Sequence, residues 1–316
     1  MESPTLLTLD EWRGVARGFG LAIAPHSPLS GAAAEVAPRA PPDGEGWREA
    51  MAALAAPDRQ ISCIVPAANA LKVASYFGGP SLGEEALVEC RPDPGGVRIA
   101  FPVSPEAVAE DAREVLLADY PLVPDPFKAA LSTAALTCLM AAVDAMRRAT
   151  LTALLERRVA LDFQFKVAEL QEQVPAGLAG KDARWMVTFL AQLAPLIAPP
   201  DPEDLTIGLA ELVSAGLVTL QRGRWSPTEP LVRLAGYWGS PMPAIVHQVI
   251  AFDGAGQMSA WAYRIAIRGQ GPLTVIDYQG LMDGAPSATL KSIYGSVYMR
   301  ELTEMLMDLP VAEAVR

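Results

Sequence analysis

From Lys128 to Val174 the chain contains neither glycine nor proline. No other feature limits the fold as strongly. Within this run Leu131, Ala135, Cys138, Ala142 and Met146 recur at helical spacing, and Leu151, Leu154 and Leu155 continue the apolar pattern. The spacing predicts one long helix to about Arg158, a second from about Asp162, and a third over Lys181–Leu196. Pro195, Pro199, Pro200 and Pro202 then end the helical block and form a stiff connector.

On both sides of this block the period changes to two. Gln60–Ala67 alternates, with Ile61, Cys63 and Val65 on one side. Leu71–Phe77, Glu85–Arg91 and Val97–Val103 follow the same pattern, separated by Gly, Pro and Asp, and read as antiparallel strands. Ala244–Phe252 and Gln257–Arg268 flank Asp253-Gly254-Ala255-Gly256, a hairpin signal, and Leu273–Tyr278 is a further strand. Helices are expected at the edges of these runs. Thr8-Leu9-Asp10-Glu11 is a capping box, Trp47–Ala55 is stopped by Pro57, and Ser104-Pro105-Glu106 opens another helix. Asp204–Ala215 is expected as a helix with Gly216 after it. Leu217–Trp225 reads as a tight hairpin like the wing of a winged helix, and a last helix is expected from about Ser287 to Met307.

The fold class that follows is α+β: two quasi-repeated antiparallel-sheet-plus-helix halves with a central helical block. The expected divisions are an N-terminal α+β half over 1–127, a helical block over 128–203 and a C-terminal α+β half over 204–316. The closing helices of the halves end alike, at Glu114–Pro121 and Glu304–Pro310, and suggest an internal duplication.

This layout resembles the EspG family of type VII secretion chaperones. Thr8-Leu9-Asp10-Glu11-Trp12 is similar to that family's opening helix. Met51-Ala52-Ala53-Leu54-Ala55-Ala56-Pro57-Asp58 is similar to its junction between a helix and the first strand. The resemblance in element order covers most of the chain, and at residue level about 20 residues, a junction of helix, Pro stop and strand being easily reproduced. It implies quasi-symmetric α/β halves around an antiparallel sheet, with flanking helical bundles. No binding residue is carried over.

Composition excludes several functions. The net charge is −11 and the pI about 4.8, so phosphate backbones are repelled and nucleic acid is not expected as a partner. The uncharged stretch Ala129–Val143 is too short to span a bilayer, so no membrane insertion is expected. The N-terminus lacks a basic region before an apolar run, and Cys63, Cys90 and Cys138 form a sparse, odd set. Both point to a reduced, cytoplasmic protein with buried thiols. Abundant alanine and 28 prolines suggest a GC-rich bacterial genome.

No catalytic set emerges. His26 and His247 are the only histidines, no His, Cys or Asp set has metal-ligand spacing, and the glycine pairs lack a phosphate loop's lysine. No cofactor, metal or enzymatic activity is expected. The candidate protein-binding residues are Trp225, Tyr237 and Trp238, set by the Pro- and Gly-rich stretch Gly236–Pro243. The alternative for these aromatics is packing against the sheet or the helical block. The expected function is a non-catalytic adaptor or chaperone that binds another protein, such as a secretion or assembly substrate. A structural or regulatory subunit of a bacterial assembly is the alternative. A DNA-binding regulator is a third reading, disfavoured because Asp204–Ala215 carries no basic residue.

Overall fold

The fold is described from a computed structural model for residues 5–31, 36–67, 70–82, 86–120, 122–125, 127–159, 163–182, 184–194, 201–238, 243–284 and 286–307. The chain opens with β1 (Thr5–Leu7), α1 (Leu9–Gly18), α2 (Trp47–Ala55), β2 (Arg59–Ala67), β3 (Ala70–Gly78), β4 (Leu87–Asp93), β5 (Gly96–Val103) and α3 (Pro105–Leu116). It continues through β6 (Lys128–Ser132), α4 (Thr133–Leu155), α5 (Val167–Leu178), α6 (Met186–Leu193), α7 (Pro202–Ser214), β7 (Val218–Gln221), β8 (Arg224–Pro227) and α8 (Glu229–Tyr237). It closes with β9 (Ala244–Phe252), β10 (Met258–Arg268), β11 (Leu273–Gln279), β12 (Ser287–Ile293) and α9 (Gly295–Met307). The fold is mixed α+β with antiparallel sheet.

The chain divides into two compact units. The first comprises Met1–Asp119, Ile245–Tyr263 and Gly295–Arg316, and the second Tyr120–Ala244 and Arg264–Tyr294.

In the first unit the strand order is β1-β5-β4-β3-β2-β9, followed by the opening residues of β10. The pairs β1–β5, β5–β4, β4–β3, β3–β2 and β2–β9 are all antiparallel. The capping box of α1 is formed: Thr8 Oγ1 accepts from Glu11 N–H at 3.3 Å, and Glu11 Oε2 accepts from Thr8 N–H at 2.8 Å. Helix α1 then buries Trp12 and Val15 against Trp47, Met51 and Leu54 of α2 and against Phe77 and Ile99 of the sheet. Trp12 and Trp47 stack at 5.3 Å, and the Trp12 indole N–H donates to Val97 O at 2.9 Å. A buried indole keeps its hydrogen bond this way, so the anchor costs no unsatisfied donor. Side-chain hydrogen bonds close the turn between β9 and β10. Asp253 Oδ1 accepts from the N–H groups of Ala255 and Gln257 at 2.9 and 2.8 Å, and Gly256 takes φ +76°.

In the second unit the sheet order is the end of β10, then β11, β12 and β6, with β11–β12 and β12–β6 antiparallel. Helix α4 packs against α5, α6, α7 and α8. Buried residues recur along α4 from Ala135 to Met146, as the apolar spacing predicts. Its N-cap is Ser132, whose Oγ accepts from Ala135 N–H at 3.1 Å. Ser132 in turn donates from N–H and Oγ to the two oxygens of Glu211 on α7, at 2.8 and 2.6 Å.

The strands expected over 60–103 and 244–278 are present, but two stretches expected as helix are strands. Lys128–Ser132 is β6, with Ala129 and Leu131 buried in alternation and Leu131 opposite Ala288. The absence of Gly and Pro there was a missing helix-breaker, not a helix signal, and pairing with β12 decides the conformation. Ser287–Ile293 is β12, again alternating, with Ala288 and Leu290 buried; the closing helix starts only at Gly295. Tertiary pairing overrides local propensity in both cases. The third helix is shorter than expected, Met186–Leu193. Residues 195–200 of the proline connector and the expected helix start at Asp162 lie outside the described residues.

The contact between α4 and α7 depends on one glycine. A Cβ built on Gly208 would lie 2.8 Å from Ala134 C and Ala135 N, so backbone meets backbone. Gly208→Ala should therefore lower stability by about 1–3 kcal/mol through overpacking, despite alanine's better helix propensity. Chemical denaturation measures this. An unchanged or raised midpoint would show that the two helices can separate without cost.

Candidate functional site

A concavity lies in the second unit, along the C-terminal half of α4. It has a volume of about 690 Å³. Met146, Thr150, Leu151 and Leu154 of α4 form one wall, and Val232, Ala235 and Gly236 of α8 form another. Phe163, Arg147, Arg184 and Trp185 complete the lining. The volume falls in the usual range for ligand pockets, and the lining is largely apolar.

A buried carboxylate anchors the start of α6, beside the lining residues Arg184 and Trp185. Asp144 lies on α4, and its Oδ1 and Oδ2 accept from the N–H groups of Met186 and Val187 at 2.8 and 3.0 Å. These are the first two residues of α6, whose own N-cap position holds Trp185 and gives no side-chain cap. Asp144 thus caps α6 from a different helix, placing a negative charge at the positive end of the helix dipole. Burial pushes its carboxyl above the usual carboxylate range, opposed by the two amide donors and by Arg147 and Arg148. Arg147 stands 3.8 Å from Asp144 and donates to Arg184 O, which fixes the segment leading into α6. Burial also lowers the pKa of Arg147. The guanidinium carbons of Arg147 and Arg148 lie 5.4 and 4.8 Å from the centre of the Trp185 ring, within cation–π range.

The apolar lining on α4 is itself exposed and extends past the groove to Leu155 and Val159. Leu151, Leu154 and Leu155 are 53%, 65% and 86% exposed, and Val159 is 74% exposed. The three leucines stand at helical spacing i, i+3, i+4, one stripe on one helix. Single exposed leucines are ordinary, but a stripe running on from an apolar groove has the character of a contact surface.

No family model matches the sequence, and no curated protein matches it. Among solved structures the chain is similar to the type VII secretion system chaperone EspG5 of Mycobacterium tuberculosis, solved in complex with the PE25-PPE41 dimer. The likeness covers 98% of each chain at 10% sequence identity, with a TM-score of 0.46. No residue and no role is transferred from it.

The three aromatics singled out from the sequence lie elsewhere in this unit, and the two tryptophans are inside it. Trp238 is 0% exposed and Trp225 7%. Trp225 lies on β8, where its backbone exchanges two hydrogen bonds of 3.0 Å with Phe165. Tyr237 is half-buried; its hydroxyl donates to Asp125 Oδ2 at 3.4 Å, and its carbonyl accepts from Gln270 N–H at 2.8 Å. Its ring sits where a Cβ on Gly271 would fall, 2.2 Å from Tyr237 Cδ1. Tyr237 and Trp238 meet around Gly269 and Gly271, whereas Trp225 stands apart on its strand. None of the three lines the groove. Helix α8, which supplies a wall of it, was not foreseen, although Thr228-Glu229-Pro230 carries a helix-start signature.

The histidines have structural surroundings. His26 Nε2 lies 3.0 Å from Pro57 O, and its ring packs on Phe252 at 4.4 Å. His247 is buried, with its Nδ1 3.1 Å from the Tyr298 hydroxyl. Cys63 is its cross-strand partner, but burial pushes that thiol up to about 12, far from a thiolate nucleophile at neutral pH. Cys138 is likewise pushed up to about 12, and Cys90 is raised by burial as well. Among the described residues no group of three His, Cys, Asp or Glu could hold a metal ion, and no helix is long and apolar enough to cross a membrane.

Two outcomes are expected. All three cysteines should resist a thiol-reactive dye in native protein at pH 8 and react fully in denaturant; rapid labelling of any one in the native state would contradict its burial. Asp144→Ala strands two amide N–H groups and should cost about 1–3 kcal/mol, with Asp144→Asn, which keeps one acceptor, falling between. Denaturation followed by Trp fluorescence tests this, and equal stability of all three proteins would show that α6 needs no cap.

Proposed function

We propose that this protein is a non-catalytic adaptor or chaperone that binds another protein through the groove between α4 and α8. The observation that carries this reading is a 690 Å³ apolar groove whose wall includes the exposed Leu151 and Leu154, with the exposed Leu155 next to them on the same helix. A protein partner covers such a surface by the hydrophobic effect, at roughly 25 cal/mol per Å² of apolar area removed from water. Charge supports a protein over nucleic acid, because a chain of net charge −11 gains little from counterion release. A secretion or assembly substrate is the kind of partner proposed, and a cytoplasmic location belongs to the same reading.

The test is a double variant, Leu151→Asp with Leu154→Asp. Both positions are exposed, so thermal stability should stay close to that of the parent. Partners recovered quantitatively from native cells on tagged parent protein should be depleted at least about tenfold on the variant, a loss of about 1.4 kcal/mol or more. Recovery of the same proteins in the same amounts would remove the groove from the binding surface. Recovery of DNA in place of protein, persisting at moderate salt, would overturn the adaptor reading itself.

A further inference from the structure

We infer that the groove's occupant is an amphipathic helix of another protein, with acidic residues flanking its apolar stripe. This deepens the protein-binding reading above and rests on it. The first argument is the shape of the site. Its walls are helices α4 and α8, and its apolar side chains repeat at i, i+3 and i+4. Such a surface takes the side-chain ridge of another helix, the helix-in-groove mode read through anchors at i, i+3, i+4 and i+7.

The second argument is charge. Among the described residues, the charged ones lining the groove are Arg147 and Arg184, both cationic, in a chain of net charge −11. The acids beside them are committed. Asp144 holds the N–H groups of Met186 and Val187, Asp182 holds Arg184 through Nε and Nη2 at 2.8 and 2.7 Å, and Glu156 pairs with Arg158. Arg148 and Arg157 enter no ion pair among the described residues. From Asp144 to Arg158 the sequence holds four arginines (147, 148, 157 and 158) and two acids (144 and 156), a local excess of two positive charges. Acidic flanks on a docking helix meet this excess, and basic flanks are repelled by it. The rest of the surface, net negative, deters the same acidic partner from docking elsewhere.

The experiment uses three fluorescein-labelled synthetic helical peptides of about five turns. Each carries leucine at i, i+3, i+4 and i+7, with flanks of glutamate, serine or lysine. Fluorescence anisotropy against the full-length chain at low salt should show the glutamate peptide binding about tenfold or more tighter than the lysine peptide, the gap narrowing as salt is added. Arg148→Glu with Arg157→Glu should reverse the order, and Leu154→Asp should weaken every peptide. Arg157→Glu alone, which leaves the Trp185 stacking intact, should narrow the gap if the double variant is misfolded. Equal binding of the three peptides, lost in Leu154→Asp, would overturn the acidic partner while leaving the groove a protein site. No peptide binding, with cellular partners still depleted by the Leu151→Asp, Leu154→Asp variant, would overturn the helix. A concentration-dependent dimer in sedimentation, abolished by Leu154→Asp, would make a second copy of this chain the occupant and overturn the inference.

Discussion

Asp144 is a charge placed where the hydrophobic interior of a helical bundle would otherwise exclude it. Left unpaired, a carboxylate there would cost several kcal/mol. It is retained because α6 begins beside it with two backbone N–H groups that no local side chain caps. Each group satisfies the other, and the consequence is geometric. The start of α6 is fixed against the middle of α4, and Trp185 and Arg184 just before it line the groove. Arg147 closes the arrangement by bonding to Arg184 O while facing Asp144. The remaining contacts of α6 follow from that position. Thr188 Oγ1 donates to Gly177 O at 2.7 Å, and a Cβ on Gly177 would lie 2.7 Å from Val187 Cγ1, so α5 and α6 approach through a glycine.

The first unit is held by a different logic. Its largely aliphatic core contains a chain of aromatics, with Trp12, Trp47 and Phe101 in consecutive ring contacts at 5.3 and 4.6 Å. Its polar groups act mainly at element ends, as in the Thr8–Glu11 capping box. The Glu11 carboxyl is held at about 2, first by the Thr8 amide and then by Arg39. That lowered value ties the box to pH: its contribution is complete above the ordinary glutamate range and is lost as pH falls towards about 2. The buried His247 and Tyr298 add a polar contact between β9 and α9, beside a Cys63 thiol that burial keeps protonated at neutral pH.

What the sequence made legible was whatever depends on neighbours along the chain. Period-two alternation located β2, β3, β5 and β9 to β11, and the caps at Thr8 and Ser104 located α1 and α3. The missed elements depend on neighbours in space. β6 and β12 are short, and their conformation is set by pairing: β6 with β12, and β12 with both β6 and β11. Helix α8 is nine residues long with Pro230 and Gly236 inside it, which leaves little helical repeat to read. Missing α8 hid the candidate site, since a groove needs both walls. Tyr237 and Trp238, weighed from the sequence as either exposed anchors or packed aromatics, end a helix whose buried side carries Leu231, Leu234 and Ala235. The apolar stripe of α4 was legible as a pattern, with Leu151, Leu154 and Leu155 extending the helical repeat. Its exposure was not, because periodicity specifies a face and not what covers it.

That exposure separates the two halves of one helix. From Ala135 to Met146 the side chains of α4 are mostly buried by α5, α6, α7 and α8, whereas from Leu151 to Leu155 three leucines face solvent. Burying a leucine stabilises a fold by about 1.5–3 kcal/mol, and each of these forgoes most of that. Isolated, the stripe would be an aggregation liability. The arginines around it temper that liability. Arg147 and Arg148 precede the stripe, Arg157 and Arg158 follow it, and a second copy arriving with the same patch meets like charge within the ~8 Å over which charges interact at physiological salt. A surface that repels itself yet is apolar at its centre selects for a partner of opposite charge. The selection uses the same residues that hold the groove open: Arg147 lines it, stacks on Trp185 and faces the carboxylate that caps α6.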